Sequence, residues 1–223
     1  MIIFYRIPSE SPNIRKITLM LHETGLPFVV KTLQAHEQES WDEHFKRISP
    51  AGTFPAIMDT DTGAHLFESA AILHYLAEKS GKLLPREENK RAQTMQWLLF
   101  EASNICPTMV ELHHQLMHDM GDTPEAVFQR QRDKLAHYCE ILNQQLAEQE
   151  FLAGDYSIAD LIIYPWTSAL EDMAELELKD YPHLKRWMTT IDARYNGQET
   201  TTPAQGHREW CYNPDGGVEF CRS

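Results

Sequence analysis

The stretch from Ile48 to Leu73 constrains this 223-residue chain more than any other. It opens with Ile48-Ser49-Pro50-Ala51-Gly52-Thr53-Phe54-Pro55 and runs straight into the apolar Ala56-Ile57-Met58. Proline has no backbone donor, so it can begin a strand but cannot sit inside a central one. A loop therefore ends at Pro55 and a strand takes residues 56 to 59. The turn-rich Asp59-Thr60-Asp61-Thr62-Gly63 leads to a second short strand from Ala64 to Phe67, and a helical period begins at Glu68. The segment reads as a hairpin feeding a helix.

The start of that helix, Glu68-Ser69-Ala70-Ala71-Ile72, has two chemical readings. Backbone N–H groups at a helix N-terminus, helped by the dipole, make a site for a carboxylate, and a serine hydroxyl adds a donor. Ser69 could equally cap the helix while Glu68 favours its dipole. The adjoining proline loop favours the first reading.

Upstream, Ile2-Ile3-Phe4-Tyr5 is a strand candidate that breaks at Pro8. Ser11 as N-cap and Pro12 at the first helical position open a helix that buries Ile14, Ile17, Leu19, Met20 and Leu21 and ends at Gly25. Phe28 to Leu33 is β-branched and aromatic, hence strand. The polar segment Gln34 to Ser40 precedes a short helix from Trp41 to Arg47. The order is strand, helix, strand, helix, proline loop, strand, strand, helix, which is the thioredoxin-like order.

Residues 1–80 thus form an α/β domain, and 81–88, with Gly81 and Pro85, form a linker. Residues 89–195 read as helical throughout. Asn89 to His118 is one helix that Pro107 should bend or interrupt. Pro124 to Gln149 carries Val127, Leu135, Tyr138, Leu142 and Leu146 on one face. Ser157 and Asp160 form a capping box for the next helix, and the last runs from Pro182 to Tyr195. The tail, 196–223, is polar and turn-rich yet holds Trp210, Tyr212 and Phe220, which suits a strap over the helical domain.

A net charge of −13 argues against nucleic acid and anionic membrane surfaces, both of which are bound through basic patches. No apolar run approaches the ~18 residues of a membrane span, and Met1 to Ile7 is too short for a signal-peptide core. A cytoplasmic protein is expected. Cys106, Cys139, Cys211 and Cys221 show no C-x-x-C spacing, so neither a zinc knuckle nor an intrinsic redox dithiol is indicated. His114 and His118 share a helical face beside His113, but there is no H-E-x-x-H pattern and no third ligand, so no metal is expected.

The proline loop, the hairpin and the Glu-Ser-Ala-Ala-Ile helix start resemble the glutathione-binding half of glutathione transferases. The resemblance implies a thioredoxin-like α/β N-terminal domain followed by an all-α helical domain, and it covers the chain to about Tyr195. It implies that Pro55 is cis, that the backbone of Phe54 pairs with the cysteinyl part of glutathione, and that Glu68 and Ser69 hold its γ-glutamyl end. Ser11-Pro12-Asn13 stands where the family keeps its thiolate-stabilising hydroxyl. Followed by Arg15-Lys16, it is similar to the serine-using classes, and also to the Thr-Pro-Asn of the bacterial nu-like branch. Both comparisons select Ser11, with Asn13 second and Ser9 third. A serine before proline is also explained by capping alone, and Tyr5 is a weaker donor that fits the core.

Related loops often carry a basic or amide residue near Thr53 for the glycyl carboxylate; Gly52 and Thr53 depart from that. Arg130 and Gln38 match, by position, residues that the nu-like branch turns towards glutathione. Asp160 resembles a folding motif of the family's helical domain and is kept out of the site. The implied activity is attack of glutathione thiolate on a small hydrophobic electrophile in detoxification by a homodimer. Disulfide-bond reductase or peroxidase activity is one alternative. A non-catalytic binding or regulatory protein is another.

Overall fold

The structure is a computed structural model and describes residues 1–9, 11–33, 43–118, 124–195, 210–212 and 218–220. Its contacts divide the chain into two compact units, one of Met1–Lys82 with the tail strands, the other Leu83–Asn196.

The first unit contains β1 (Ile2–Arg6), α1 (Pro12–Thr24), β2 (Phe28–Thr32), α2 (Glu43–Ile48), β3 (Ala56–Asp59), β4 (His65–Phe67) and α3 (Ser69–Ser80). The sheet order is β2-β1-β3-β4. β1 and β2 are parallel, which obliges a crossover, and α1 supplies it. β3 runs antiparallel to β1, and β4 to β3. Alternation along the strands sends Ile3, Tyr5, Ala56 and Met58 to the face covered by Phe45 and Ile48 of α2. Ile2, Phe4 and Ile57, all buried, point to the opposite face, and α1 packs on α3. Gly25 ends α1 with φ 69°, a left-handed turn that a side chain would strain.

The tail lies mostly outside the described residues. Its strands β5 (Trp210–Tyr212) and β6 (Val218–Phe220) pair antiparallel, and β5 runs beside β2 in the first unit.

The second unit is helical: α4 (Glu88–Phe100), α5 (Cys106–His118), α6 (Glu125–Glu148), α7 (Ile158–Thr167), α8 (Leu170–Ala174) and α9 (Pro182–Tyr195). The interruption expected at Pro107 takes the form of a π-helical turn just before it, Glu101–Ile105. Pro107 has no N–H for the carbonyl four residues back, and its ring crowds that carbonyl. Widening the helix by one residue, with the Cys106 N–H bonding the Glu101 carbonyl, accommodates both. The capping box of α7 is formed, and Trp187 of α9 donates its indole N–H to Asp160 at 2.8 Å. An α/β thioredoxin-like unit followed by an all-helical one is the fold the resemblance implies. Among the described residues, no helix is long and apolar enough to cross a membrane.

Candidate functional site

The sheet register converges three loops on one edge. Ala56 lies opposite Tyr5 of β1 and opposite Phe67 of β4. One residue further along, Pro55 therefore comes beside Arg6, where β1 leaves for Ser11, and beside Glu68, where β4 leaves for α3. The proline loop and the N-termini of α1 and α3 thus share an edge because of strand pairing.

The Phe54–Pro55 peptide is cis. The Phe54 ring stacks on Phe45 at 4.8 Å with the planes 17° apart, which ties the loop to the core under α2. Ser49 is fully buried, and its hydroxyl donates to the Thr53 carbonyl at 2.9 Å while accepting the Thr53 N–H at 3.1 Å. One side chain closes the loop across Pro50, Ala51 and Gly52. The Thr53 amide is thereby engaged, and Thr53 itself is exposed.

Glu68 sits at the N-cap of α3 with φ 70° and ψ 112°, and its side chain makes no capping bond. A non-glycine residue held there costs on the order of 1–3 kcal/mol, and such strain concentrates at ligand sites. Its side chain is exposed, while Ser69, the first residue of the helix, is half-buried. The N–H groups of a first turn have no carbonyl of their own helix to bond. This edge can receive a carboxylate.

Ser11 caps α1: its Oγ accepts the Ile14 N–H at 3.4 Å and its carbonyl accepts the Arg15 N–H at 3.0 Å. That bond uses a lone pair of the hydroxyl and leaves its proton to point elsewhere, so capping and donation to a sulfur are compatible. The Asn13 Oδ1 accepts from Lys16 Nζ at 2.7 Å, and the same Nζ lies 3.5 Å from Ser69 Oγ. Lys16 is fully buried. In the sequence it stands only as one half of the Arg15-Lys16 pair, and its place at the site is a finding of the structure. The signal was available: Lys16 lies three residues from Asn13, on the stripe that buries Ile17 and Met20.

Ser9 bonds its N–H to the Ile7 carbonyl at 2.8 Å. Tyr5, 1% exposed, packs on Phe45 within the core. Gln38 lies outside the described residues. Arg130 is exposed on α6, in the second unit. No group of three His, Cys, Asp or Glu that could hold a metal occurs among the described residues, His113 and His114 included. Burial pushes the Cys139 thiol up to about 12, which leaves it un-ionised. Burial also pushes the Asp160 carboxyl up to about 6, against the donors Leu152 N–H, Trp187 Nε1–H, Ser157 N–H and the Ser157 hydroxyl, which pull it down. Those donors are all structural.

Residues 10–79 match the family model for the glutathione S-transferase N-terminal domain, and residues 105–194 match that for the C-terminal domain. Disulfide-bond oxidoreductase YfcG of Escherichia coli K12 is 36% identical over 83% of this chain and 88% of its own length. Disulfide-bond oxidoreductase YghU of the same strain is 31% identical over 82% and 69%. The crystal structure of a glutathione transferase family member from Pseudomonas fluorescens Pf-5, with two glutathione bound, superposes with a TM-score of 0.79 at 30% identity, covering 86% of this chain and 88% of that one. On both domain models and on these relatives, the chain belongs to the glutathione S-transferase family.

Proposed function

We propose that this chain binds glutathione along the edge formed by Phe54-Pro55, Glu68 and Ser69 and activates its thiol as a thiolate for attack on an electrophile. One observation carries the proposal: strand register brings the cis-proline loop, the strained N-terminus of α3 and the Ser11-Asn13 start of α1 to one edge. The Phe54 backbone pairs with the cysteinyl part. The α3 N-terminus and Ser69 take the γ-glutamyl carboxylate, and exposed Glu68 faces its ammonium. Ser11 and Asn13 serve the sulfur, with Thr53, Gln38 and Arg130 as further contacts.

A free thiol has a pKa of about 8.5 and is only a few per cent ionised at neutral pH. Lowering that by about two units takes roughly 2.7 kcal/mol of thiolate stabilisation, within reach of two donors and a helix N-terminus in a dry pocket. The thiol proton leaves to solvent. The sulfur lone pair then forms the new bond to carbon while the leaving group departs with its own pair. Calorimetry with glutathione and turnover of an activated chloroarene test this. Absence of glutathione binding at millimolar concentration would overturn it.

The two E. coli relatives bear the name disulfide-bond oxidoreductase, which favours a second reading of the same site. Bound thiolate attacks one sulfur of a small disulfide and the other sulfur leaves as thiolate. A second glutathione then resolves the mixed disulfide, releasing oxidised glutathione and the second thiol. Glutathione supplies both electrons in this reading; of the two cysteines whose side chains the structure describes, Cys139 is un-ionised and Cys106 sits half-buried on α5. Faster turnover of a hydroxyethyl disulfide than of the chloroarene selects this reading, and the reverse selects transfer. A cytoplasmic homodimer acting in detoxification belongs to the same proposal and rests on the family alone.

A further inference from the structure

We propose that Lys16 is the positioning residue of the glutathione site: one buried ammonium that turns the Asn13 amide and the Ser69 hydroxyl so that both aim donors at the ligand. The inference rests on the site reading above and adds a residue to it.

A fully buried lysine is an expensive choice on the α1 stripe, where Ile17 and Met20 are also fully buried and an apolar side chain would fill the space. What it does there follows from its chemistry. An ammonium carries three protons and no lone pair, so any group it bonds must present an oxygen. Asn13 meets it with Oδ1 at 2.7 Å, and no flip of the amide can be substituted, because Nδ2 would set proton against proton. The donor end of Asn13 is therefore turned away from Lys16. Ser69 meets the same Nζ with its oxygen at 3.5 Å, the outer limit of a hydrogen bond, so its hydroxyl proton is likewise directed elsewhere.

Both outward ends are donors, and both ends of the proposed ligand are anions: the thiolate opposite Asn13 and the γ-glutamyl carboxylate opposite Ser69. The cation bonds the oxygen of each group, and that polarises the group and strengthens its own donation to an anion. Lys16 and Ser69 are 53 positions apart, and only the packing of α1 on α3 joins them. Binding at the carboxylate end and activation at the sulfur end thus share one charge.

The test uses the full chain, with glutathione and the activated chloroarene. Lys16→Met keeps the length of the side chain and removes the charge. It should melt at or above the parent's temperature, since replacing a buried ion by an apolar group of similar volume is often neutral or stabilising. Loss of the shared cation should raise the KM for glutathione about 10-fold and lower kcat about 10-fold, each the value of one charge-assisted contact. Lys16→Arg should restore both to within about threefold. A structural role predicts the reverse, a lower melting temperature with unchanged kinetics. Asn13→Ala and Ser69→Ala form an independent cycle that needs no change at Lys16. If the cation couples them, their combined loss should differ from the product of the single losses by about fivefold. Parent-like kinetics in Lys16→Met, or strict additivity in the cycle, overturns the inference and leaves the proposed function standing if the parent binds glutathione. A parent that does not bind glutathione overturns both.

Discussion

At the start of α7 the polar groups close on one another, whereas at the start of α3 they face outward. Ser157 is 1% exposed and accepts the Ala159 N–H at 3.2 Å, while Asp160, with no exposed surface, accepts the Ser157 N–H at 3.0 Å and the Leu152 N–H at 3.0 Å. Glu68 at the start of α3 is exposed, its side chain makes no capping bond to its own helix, and its backbone sits at φ 70°. Both sites place a serine beside an acid at a helix N-terminus, where four N–H groups lack partners. Where the chain supplies the partners, the result is folding energy. Where the side chain withholds them and the backbone is held under strain, the helix start has the features on which the proposed γ-glutamyl carboxylate contact rests.

Breaking the closed start should have the largest effect. Asp160→Ala strands the Leu152 N–H, the Ser157 N–H and the Trp187 indole in an apolar interior. The expected loss is about 3–5 kcal/mol in urea unfolding, the cost of removing one partner from a buried charged cluster. The folded fraction should keep its KM for glutathione within about twofold, because the lost bonds lie in the helical unit. A change below about 1 kcal/mol would mean that the closed box contributes no more than an ordinary cap.

The start of α1 sharpens the contrast because Ser11 has both roles. If its proton reaches the sulfur, Ser11→Ala should lower kcat by about 10- to 1000-fold, matching ~1.4–4 kcal/mol for one preorganised donor, and raise the pKa of bound glutathione in an ultraviolet titration. If it only caps, stability falls by about 1 kcal/mol and the thiol titrates as in the parent. Asn13→Ala, singly and combined, shows whether the two residues share the sulfur. Parent-like titration in all three variants would remove both from the chemistry.

At the open start of α3, Ser69→Ala should raise the KM for glutathione about 10-fold with kcat near that of the parent, the pattern of a bond made equally in ground and transition states. A fall in kcat at unchanged KM would mean that Ser69 faces the sulfur instead.

The parts legible in the sequence were those that local backbone rules decide. Ser11-Pro12 and Gly25 bound α1, Pro55 must end a loop, and Ser157 with Asp160 starts a helix, whatever lies around them. The parts that were not legible depend on a partner distant in the chain. A lysine in an apolar stripe is ordinarily a surface residue whose stem alone is covered; Lys16 is instead fully buried, with Asn13 and, on another helix, Ser69 among its partners. Nothing about Ser49 before a proline announces that its hydroxyl will bond both backbone groups of Thr53. The positive φ of Glu68 is imposed by the step from β4 into α3, at a residue whose own preference is against it. Pro107 foretold a break in the helix but not its form, a π-helical turn over Glu101–Ile105.

The smallest effect compares the two units through their fully buried carboxylates, Asp59 and Asp160, which are displaced in opposite directions. Desolvation is the largest influence on both and raises both. At Asp59 it is outweighed by a charged partner, Lys79 Nζ at 2.8 Å, together with the Tyr75 hydroxyl at 2.6 Å and the Asp61 N–H at 3.0 Å, so its carboxyl is lowered from 3.8 to about 2. Asp160 has donors but no cation among those bonds. With the folded value of Asp59 below the unfolded one, the unfolded chain binds the extra proton between the two values. Its contribution to stability is therefore complete above about pH 4 and is lost as pH falls from about 4 to about 2. Asp59→Asn should lower stability by a constant amount at neutral and mildly acid pH, and the gap to the parent should shrink by about half or more through that window. Denaturant midpoints of the two proteins, measured across the same pH series, give the gap directly. If the gap holds down to about pH 2, the Asp59 carboxyl is not lowered in the folded protein, and Lys79 with the neutral donors does not outweigh its desolvation.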